Sequence, residues 1–435
     1  MNSILNRRIL KAGCLFTLLI FLSPIGNGQA FALDRSAYKQ LKVFSEVLDI
    51  IDKNYVESVD SKKLLQGAIN GMMKSLDPHS TFMTEEMFKE LEVETKGSFG
   101  GIGIEITILN DVLTVVSPIE DTPAFLAGVK AGDQIIKIDG QSTKDITIME
   151  AVTKLRGPRD TKVTITIMRE GLPKPKDITI ARAIIQVKSI KSRRIDDQFG
   201  YVRISAFQER TAEDLKKAIS ELQGKSPLPL KGLVLDMRNN PGGLLAQSIE
   251  VSDVFLKSGT IVSTRGRIKS VESKSVARDD GNELTCPIVI LVNEGTASAA
   301  EIVSGALQDN GRALVLGTQT FGKGSVQTVI PLEEGAALKL TTAKYYTPGG
   351  RSIQAEGITP DVTVKYIKPA DENGTESEGM RERDLKGHIK APGEEDKKPA
   401  ELKKRAFDDQ SQVNQLKAAV DILKSWGIFQ GAGKM

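Results

Sequence analysis

Between residues 173 and 367 the chain repeats one pattern: a short apolar run, a turn, then an amphipathic helix. The strand-like runs fall at 201–204, 233–237, 288–292 and 313–316, and the helical periodicities at 212–222, 244–255 and 299–308. Short apolar runs alternating with helices predict an α/β core whose strands are largely parallel. The 435 residues exceed what one hydrophobic core accommodates, so two or three domains are expected.

A different texture occupies residues 97–171. Ile102, Ile104, Ile106 and Ile108 alternate with polar or small residues, as in a half-buried strand. Further strands are expected at 113–116, 133–138 and 162–169, with Asp139-Gly140 as a hairpin turn and a helix over 146–155. This reads as a compact module between an N-terminal helical region (33–96) and the larger body (172–367). In the former, Leu41, Phe44, Val47, Leu48 and Ile51 recur at helical spacing, which fits either a core-packing arm or a dimerisation arm. Residues 368–405, rich in Glu, Lys, Gly and Pro, read as a mobile linker, followed by an amphipathic helix over 413–426.

The first 32 residues have the layout of a secretory signal: Arg7, Arg8 and Lys11, an apolar run over 14–22, then Ala30-Phe31-Ala32. That run is shorter than the ~20 apolar residues of a spanning helix. Its removal takes away three cations and no acid, which cancels the formal charge of +3. The basic excess needed to bind nucleic acid is then missing. Only Cys286 remains, which rules out an internal disulfide and a two-cysteine metal site. With His79 and His388 the only histidines, a hydrolytic mechanism is expected to use another base, and no metal or cofactor is expected.

Three segments carry the chemistry. In the run from Leu291 to Val303, a buried strand passes through Gly295 into a helix, placing Ser298 at the helix start. Nearby N–H groups and the helix dipole favour a developing oxyanion there, although a plain helix cap has the same pattern. In Phe321-Gly322-Lys323-Gly324, a lysine sits between two glycines. Glycines permit close backbone approach, and burial lowers an amine's pKa from ~10.4 toward the range of a general base. Gln327, four residues on, is placed to hold that amine. The spacing is not that of a phosphate-binding P-loop. The third segment, Asn239-Asn240-Pro241-Gly242-Gly243, ends a strand in a Gly-Gly turn at a helix start, a source of N–H donors.

Together these motifs resemble the carboxyl-terminal processing, or tail-specific, proteases. The likeness runs from the N-terminal helices to Thr347-Pro-Gly-Gly-Arg351 and Gly357-Ile-Thr-Pro360. It implies Ser298 as nucleophile, Lys323 as base and Gln327 as third member. It further implies an oxyanion hole from Ala299 and one of Gly242 and Gly243. The implied fold is a mixed or parallel α/β protease core of the crotonase or Clp-protease type, with an inserted PDZ domain and flanking helices. In that domain Gly100, Gly101, Ile102 and Gly103 match the loop that holds a peptide's terminal carboxylate. Ile102 to Ile106, including Ile104, would offer a strand edge to the tail. Arg156, in the Leu-Arg-Gly run that recurs in the family, would link tail binding to the protease body.

The expected protein is therefore an exported serine endopeptidase of the periplasm or cell envelope, with membrane association left open. Its partners are polypeptides with accessible C-terminal tails, and its terminal helices allow a homodimer. The alternatives are a catalytically inactive PDZ scaffold and a small-molecule acyl-transfer enzyme. A penicillin-binding type would need Ser-x-x-Lys, whereas here Glu301 stands at the fourth position.

Overall fold

The computed structural model describes residues 35–169, 171–195, 197–224, 228–366, 381–384, 387–389 and 413–432. The expected export signal, and most of the expected linker, lie outside the described residues. The chain divides into two units, residues 1–67 and 68–435. In the first, the helix Arg35–Asn54 carries Tyr38, Leu41, Phe44 and Val47 at exposed positions about one turn apart. Among the described residues no helix is long and apolar enough to cross a membrane.

The second unit contains the α/β core. Its six strands run in the order Ile190–Ile195, Phe199–Ile204, Gly232–Asp236, Ile288–Val292, Ala313–Gly317, Val362–Thr363. The first pair is antiparallel and every other pairing is parallel. Every residue of the strands Gly232–Asp236 and Ile288–Val292 is buried. Their side chains alternate between two apolar clusters. Leu233, Leu235, Ile288, Ile290 and Val292 meet the helices Thr211–Gly224, Leu245–Asp253 and Ala299–Asp309 on one face. Val234, Val289 and Leu291 meet Ala419, Val420 and Leu423 of the helix Val413–Ala432 on the other. A sheet covered on both faces explains why these strands read as unbroken apolar runs.

Beside it stands a second, antiparallel sheet that residue patterning did not reveal. The strand Ala337–Tyr346 pairs with Thr81–Met83, Ser325–Pro331 and Thr260–Gly266, and the last also pairs with Ser273–Val276. Lys323 and Gln327 lie at the junction of the two sheets. The former precedes, and the latter belongs to, Ser325–Pro331.

The inserted module builds its sheet in the order Ile104–Leu109, Val112–Pro118, Gln134–Ile138, Lys162–Met168, Lys176–Ala181. Asp139 (φ 47°) and Gly140 (φ 77°) make the expected hairpin turn, since both adopt the left-handed backbone it requires. The sheet continues past residue 171 into Lys176–Ala181. A separate ribbon of Ser98–Gly101 with Ala183–Gln186 then closes the base of the module. Two prolines after Gly171 give that stretch the look of a linker, which hides the last strand of the sheet. Ile104–Leu109 lies at the sheet's end, so one of its backbone edges has no strand beside it among the described residues.

Candidate active site

The strand Ile288–Val292 ends at Asn293, where the chain turns tightly. The Asn293 N–H donates to Thr296 Oγ1 (3.0 Å), and the Thr296 N–H returns to the Asn293 carbonyl (2.9 Å). Ser298 follows at φ 53°, a strained conformation for any residue with a Cβ. Glu301, one turn into the helix, holds it there: Glu301 Oε2 accepts the Ser298 N–H at 2.7 Å.

The same carboxylate also holds the lysine loop. Glu301 Oε1 accepts the Gly322 N–H (2.7 Å) and the Thr320 hydroxyl (2.5 Å), and Oε2 accepts the Lys323 N–H (2.9 Å). Phe321 completes the join, its N–H donating to the Thr296 carbonyl at 3.0 Å. Glu301 is fully buried, which pushes its carboxyl up to about 7 against the pull of these donors. The Ser298 turn and the Lys323 loop are thus joined through Glu301. Among the described residues no hydrogen bond links Ser298 Oγ directly to Lys323 Nζ. Residue patterning missed Glu301, although Ser298-x-x-Glu301 is the spacing of a capping box, where a carboxylate at N3 reaches the cap's N–H.

The glycines around Lys323 have a steric reason. A Cβ on Gly324 would stand 2.3 Å from the Gln354 nitrogen, and one on Gly322 would stand 3.1 Å from the Ala355 carbonyl carbon. The backbone of the 353–357 segment thus packs closely on both glycines, with Lys323 half-buried between them. Burial is the main reason its amine is held below the ordinary 10.5, with the Lys339 cation adding to the effect. The carboxylates of Glu382, Glu301 and Asp77 pull the other way. Gln327 donates through Nε2 to Thr341 Oγ1 (2.8 Å) and Ser325 Oγ (3.2 Å). Its Oε1 is buried with no partner among the described residues, an acceptor open to an ammonium or amine.

The Asn-Pro-Gly-Gly turn packs directly on the serine. A Cβ on Gly242 would lie 2.8 Å from Ser298 Cβ and 3.0 Å from the Ala299 nitrogen. The Ala297 N–H donates to the Asn240 carbonyl (2.9 Å), and Thr296 Oγ1 donates to the Met237 carbonyl (2.9 Å), so the two turns are stitched together. The Gly242 N–H is occupied by Asn240 Oδ1 at 2.9 Å. The Gly243 and Ala299 N–H groups donate to no acceptor among the described residues.

The remaining candidates are elsewhere in the unit. Gly100 and Gly101 belong to the strand Ser98–Gly101, and Ile102 is buried. Gly103 (φ 81°) packs on Thr122, whose hydroxyl lies 3.0 Å from its carbonyl. Ile104 opens the edge strand Ile104–Leu109. Arg156 pairs with Glu90 of the helix Glu85–Lys96 through both guanidinium nitrogens, and its guanidinium carbon lies 4.6 Å from the centre of the Phe99 ring. Here it meets that helix, not the Ser298 turn. His79 Nε2 lies 2.6 Å from Glu382 Oε1.

Three family models match this chain: peptidase family S41 over residues 198–364, a PDZ domain over 100–180, and the N-terminal domain of the activating protease CtpB over 27–87. The chain is 51% identical over 369 residues to the carboxy-terminal-processing protease of Bartonella bacilliformis, covering 84% of both chains. It is 38% identical to the carboxy-terminal processing protease CtpA of Bacillus subtilis, covering 79% of this chain and 72% of that one. Among solved structures, the photosystem II D1 C-terminal processing protease is 29% identical, with a TM-score of 0.44, over 74% of this chain and 92% of that one. The chain belongs to the carboxy-terminal processing proteases, serine peptidases of family S41 that carry a PDZ domain.

Proposed function

We propose that this chain is an endopeptidase in which Ser298 attacks the scissile carbonyl while Lys323, as the neutral amine, accepts its proton. Lys323 then returns the proton to the leaving amine, and water releases the acyl group from Ser298 by the same steps. Gln327 Oε1 orients the amine. The Gly243 and Ala299 N–H groups stabilise the tetrahedral oxyanion, Gly242 serving as the close-packed residue beneath Ser298. The observation that carries this reading is the shared carboxylate: Glu301 holds both the strained serine and the loop of a half-buried lysine whose basicity is lowered. A fluorophosphonate probe tests it. Wild-type protein and the Lys323→Arg variant are exposed to the probe at neutral pH. Labelling confined to Ser298 in the wild type, and lost in the variant, is expected. Equal labelling of both would overturn Lys323 as the base.

Substrates in this reading are polypeptides whose C-terminal tails add a strand to the free edge of Ile104–Leu109, with the carboxylate at the Gly100–Gly103 loop. Arg156 relays tail binding by exchanging Glu90 for a contact in the protease body. The exposed stripe Tyr38, Leu41, Phe44 and Val47 favours a homodimer through the N-terminal helices. The leader-like residues 1–32 support the reading of an exported protein of the periplasm or cell envelope.

A further inference from the structure

The charged stretch after residue 367 has the composition of a solvated tether, yet it sends one side chain into the protease body. Residues Glu382–Asp384 form a single 3-10 turn, and Glu382 is fully buried. Its Oε1 accepts from Gln354 Nε2 at 3.0 Å and lies 2.6 Å from His79 Nε2. Its own N–H donates to the Phe321 carbonyl at 2.9 Å. Gln354 passes the contact on, since its Oε1 accepts the Gly324 N–H at 3.0 Å. The residues on either side of Lys323 are therefore gripped twice. Glu301 takes Gly322 and Lys323 itself, while Glu382 takes Phe321 directly and Gly324 through Gln354.

His79 continues the scaffold toward Gln327. Its N–H and that of Ser80 both donate to Asp77 Oδ1 at 2.8 Å, and the Ser80 hydroxyl donates to Asp77 Oδ2 at 2.6 Å. The Thr341 N–H donates to Ser80 Oγ (3.1 Å), and Thr341 Oγ1 receives Gln327 Nε2 (2.8 Å). One connected set of polar groups thus reaches both the lysine loop and the glutamine proposed to orient its amine.

We propose that Glu382 is a positioning residue for the Lys323 loop and a counter-charge to its amine. The inference rests on the reading of Lys323 as base. The charged groups acting on that amine are Lys339 on the neighbouring strand, Glu301 on the helix Ala299–Asp309, Asp77 before Thr81–Met83, and Glu382, whose carboxylate also meets His79 at 2.6 Å. An anion at Glu382 favours the ammonium form. Removing the charge while keeping the shape lets the amine lose its proton at lower pH, so the acid limb of the rate profile moves down in pH. A carboxylate that only filled a cavity would not move that limb.

The experiment measures kcat and KM against pH for the full chain and its Glu382→Gln, Glu382→Ala and Lys323→Ala variants. The substrate is a reduced, alkylated, fluorophore-labelled unfolded protein, and thermal unfolding is recorded in parallel. Glu382→Gln is expected to fold as the wild type does, keep KM within about twofold and shift the acid limb to lower pH. Glu382→Ala, which also removes the side-chain bonds to Gln354 and His79 while keeping its N–H on Phe321, is expected to lower kcat about tenfold, the effect of one charge-assisted hydrogen bond. An unmoved limb in Glu382→Gln, whatever its kcat, overturns the inference even if Glu382→Ala fails to fold. If Lys323→Ala is dead in that case, the Ser298–Lys323 reading stands alone. A Lys323→Ala enzyme retaining more than about a tenth of the wild-type rate overturns both.

Discussion

The two halves of the proposed catalytic pair are held in opposite ways. Ser298 lies on a continuous path from a buried strand through a turn to a buried helix; Asn293, Thr296 and Glu301, all within five residues, shape its turn, and Met237 and Asn240 hold that turn from the neighbouring strand end. Lys323 lies on a loop between two different sheets. Its anchors come from positions 301, 354 and 382. The proposed nucleophile is shaped mainly by its own turn and helix, the proposed base by contacts from distant segments. Conformational control of such an enzyme therefore acts most cheaply on the base.

The sharpest break of this comparison is removal of each member. Ser298→Ala and Lys323→Ala are each expected to lower kcat/KM at least about a thousandfold while leaving thermal unfolding unchanged, because both take part in one step. With Lys323 as the proposed base, acting as the neutral amine, wild-type activity is expected to rise with pH through an amine titration lying below the ordinary 10.5. That limb persists in His79→Gln; its disappearance would move the base role to histidine. Next in size is Glu301→Gln, where an amide NH2 faces donors that had two carboxylate oxygens to bond. A fall in kcat of about 30- to 100-fold is expected, with about 2–3 kcal/mol lost in urea unfolding. A wild-type kcat there would mean that the two turns are held independently. Gln327→Ala removes only the orientation of the amine, and about a tenfold loss in kcat at unchanged KM is expected. Smallest is Arg156→Ala, expected to slow cleavage of tailed substrates a few-fold while tail-peptide affinity, followed by fluorescence polarisation, stays within twofold. Equal losses in both would make Arg156 a tail-binding residue.

The same contrast explains what the residues alone revealed. The central strands of the core were readable because burial on both faces makes them unbroken apolar runs. Ser298, Lys323 and the Gly-Gly turn stood out because glycines crowd where backbones touch. The antiparallel sheet escaped notice. Its strands Ser325–Pro331 and Ala337–Tyr346 are only partly buried, and Thr81–Met83 pairs with a partner more than 250 residues away. The choice between Gly242 and Gly243 turns on the Asn240 side chain, which no spacing rule addresses. Glu301 was visible only as a departure from Ser-x-x-Lys. Glu382 was hidden because a lone buried acid in a run of charges has the composition of a linker.

Glu301 has one more consequence, for the enzyme's safety toward itself. An endopeptidase that accepts unfolded chains could digest its own partly unfolded copies. Here the serine's backbone conformation and the lysine's loop depend on the same buried carboxylate, and local opening that lets water reach Glu301 releases both at once. A molecule opened at this point would lose the placement of Ser298 and of the Lys323 loop together. Autolysis of such a molecule would then need an intact neighbour, and a rate that falls with dilution would be its mark.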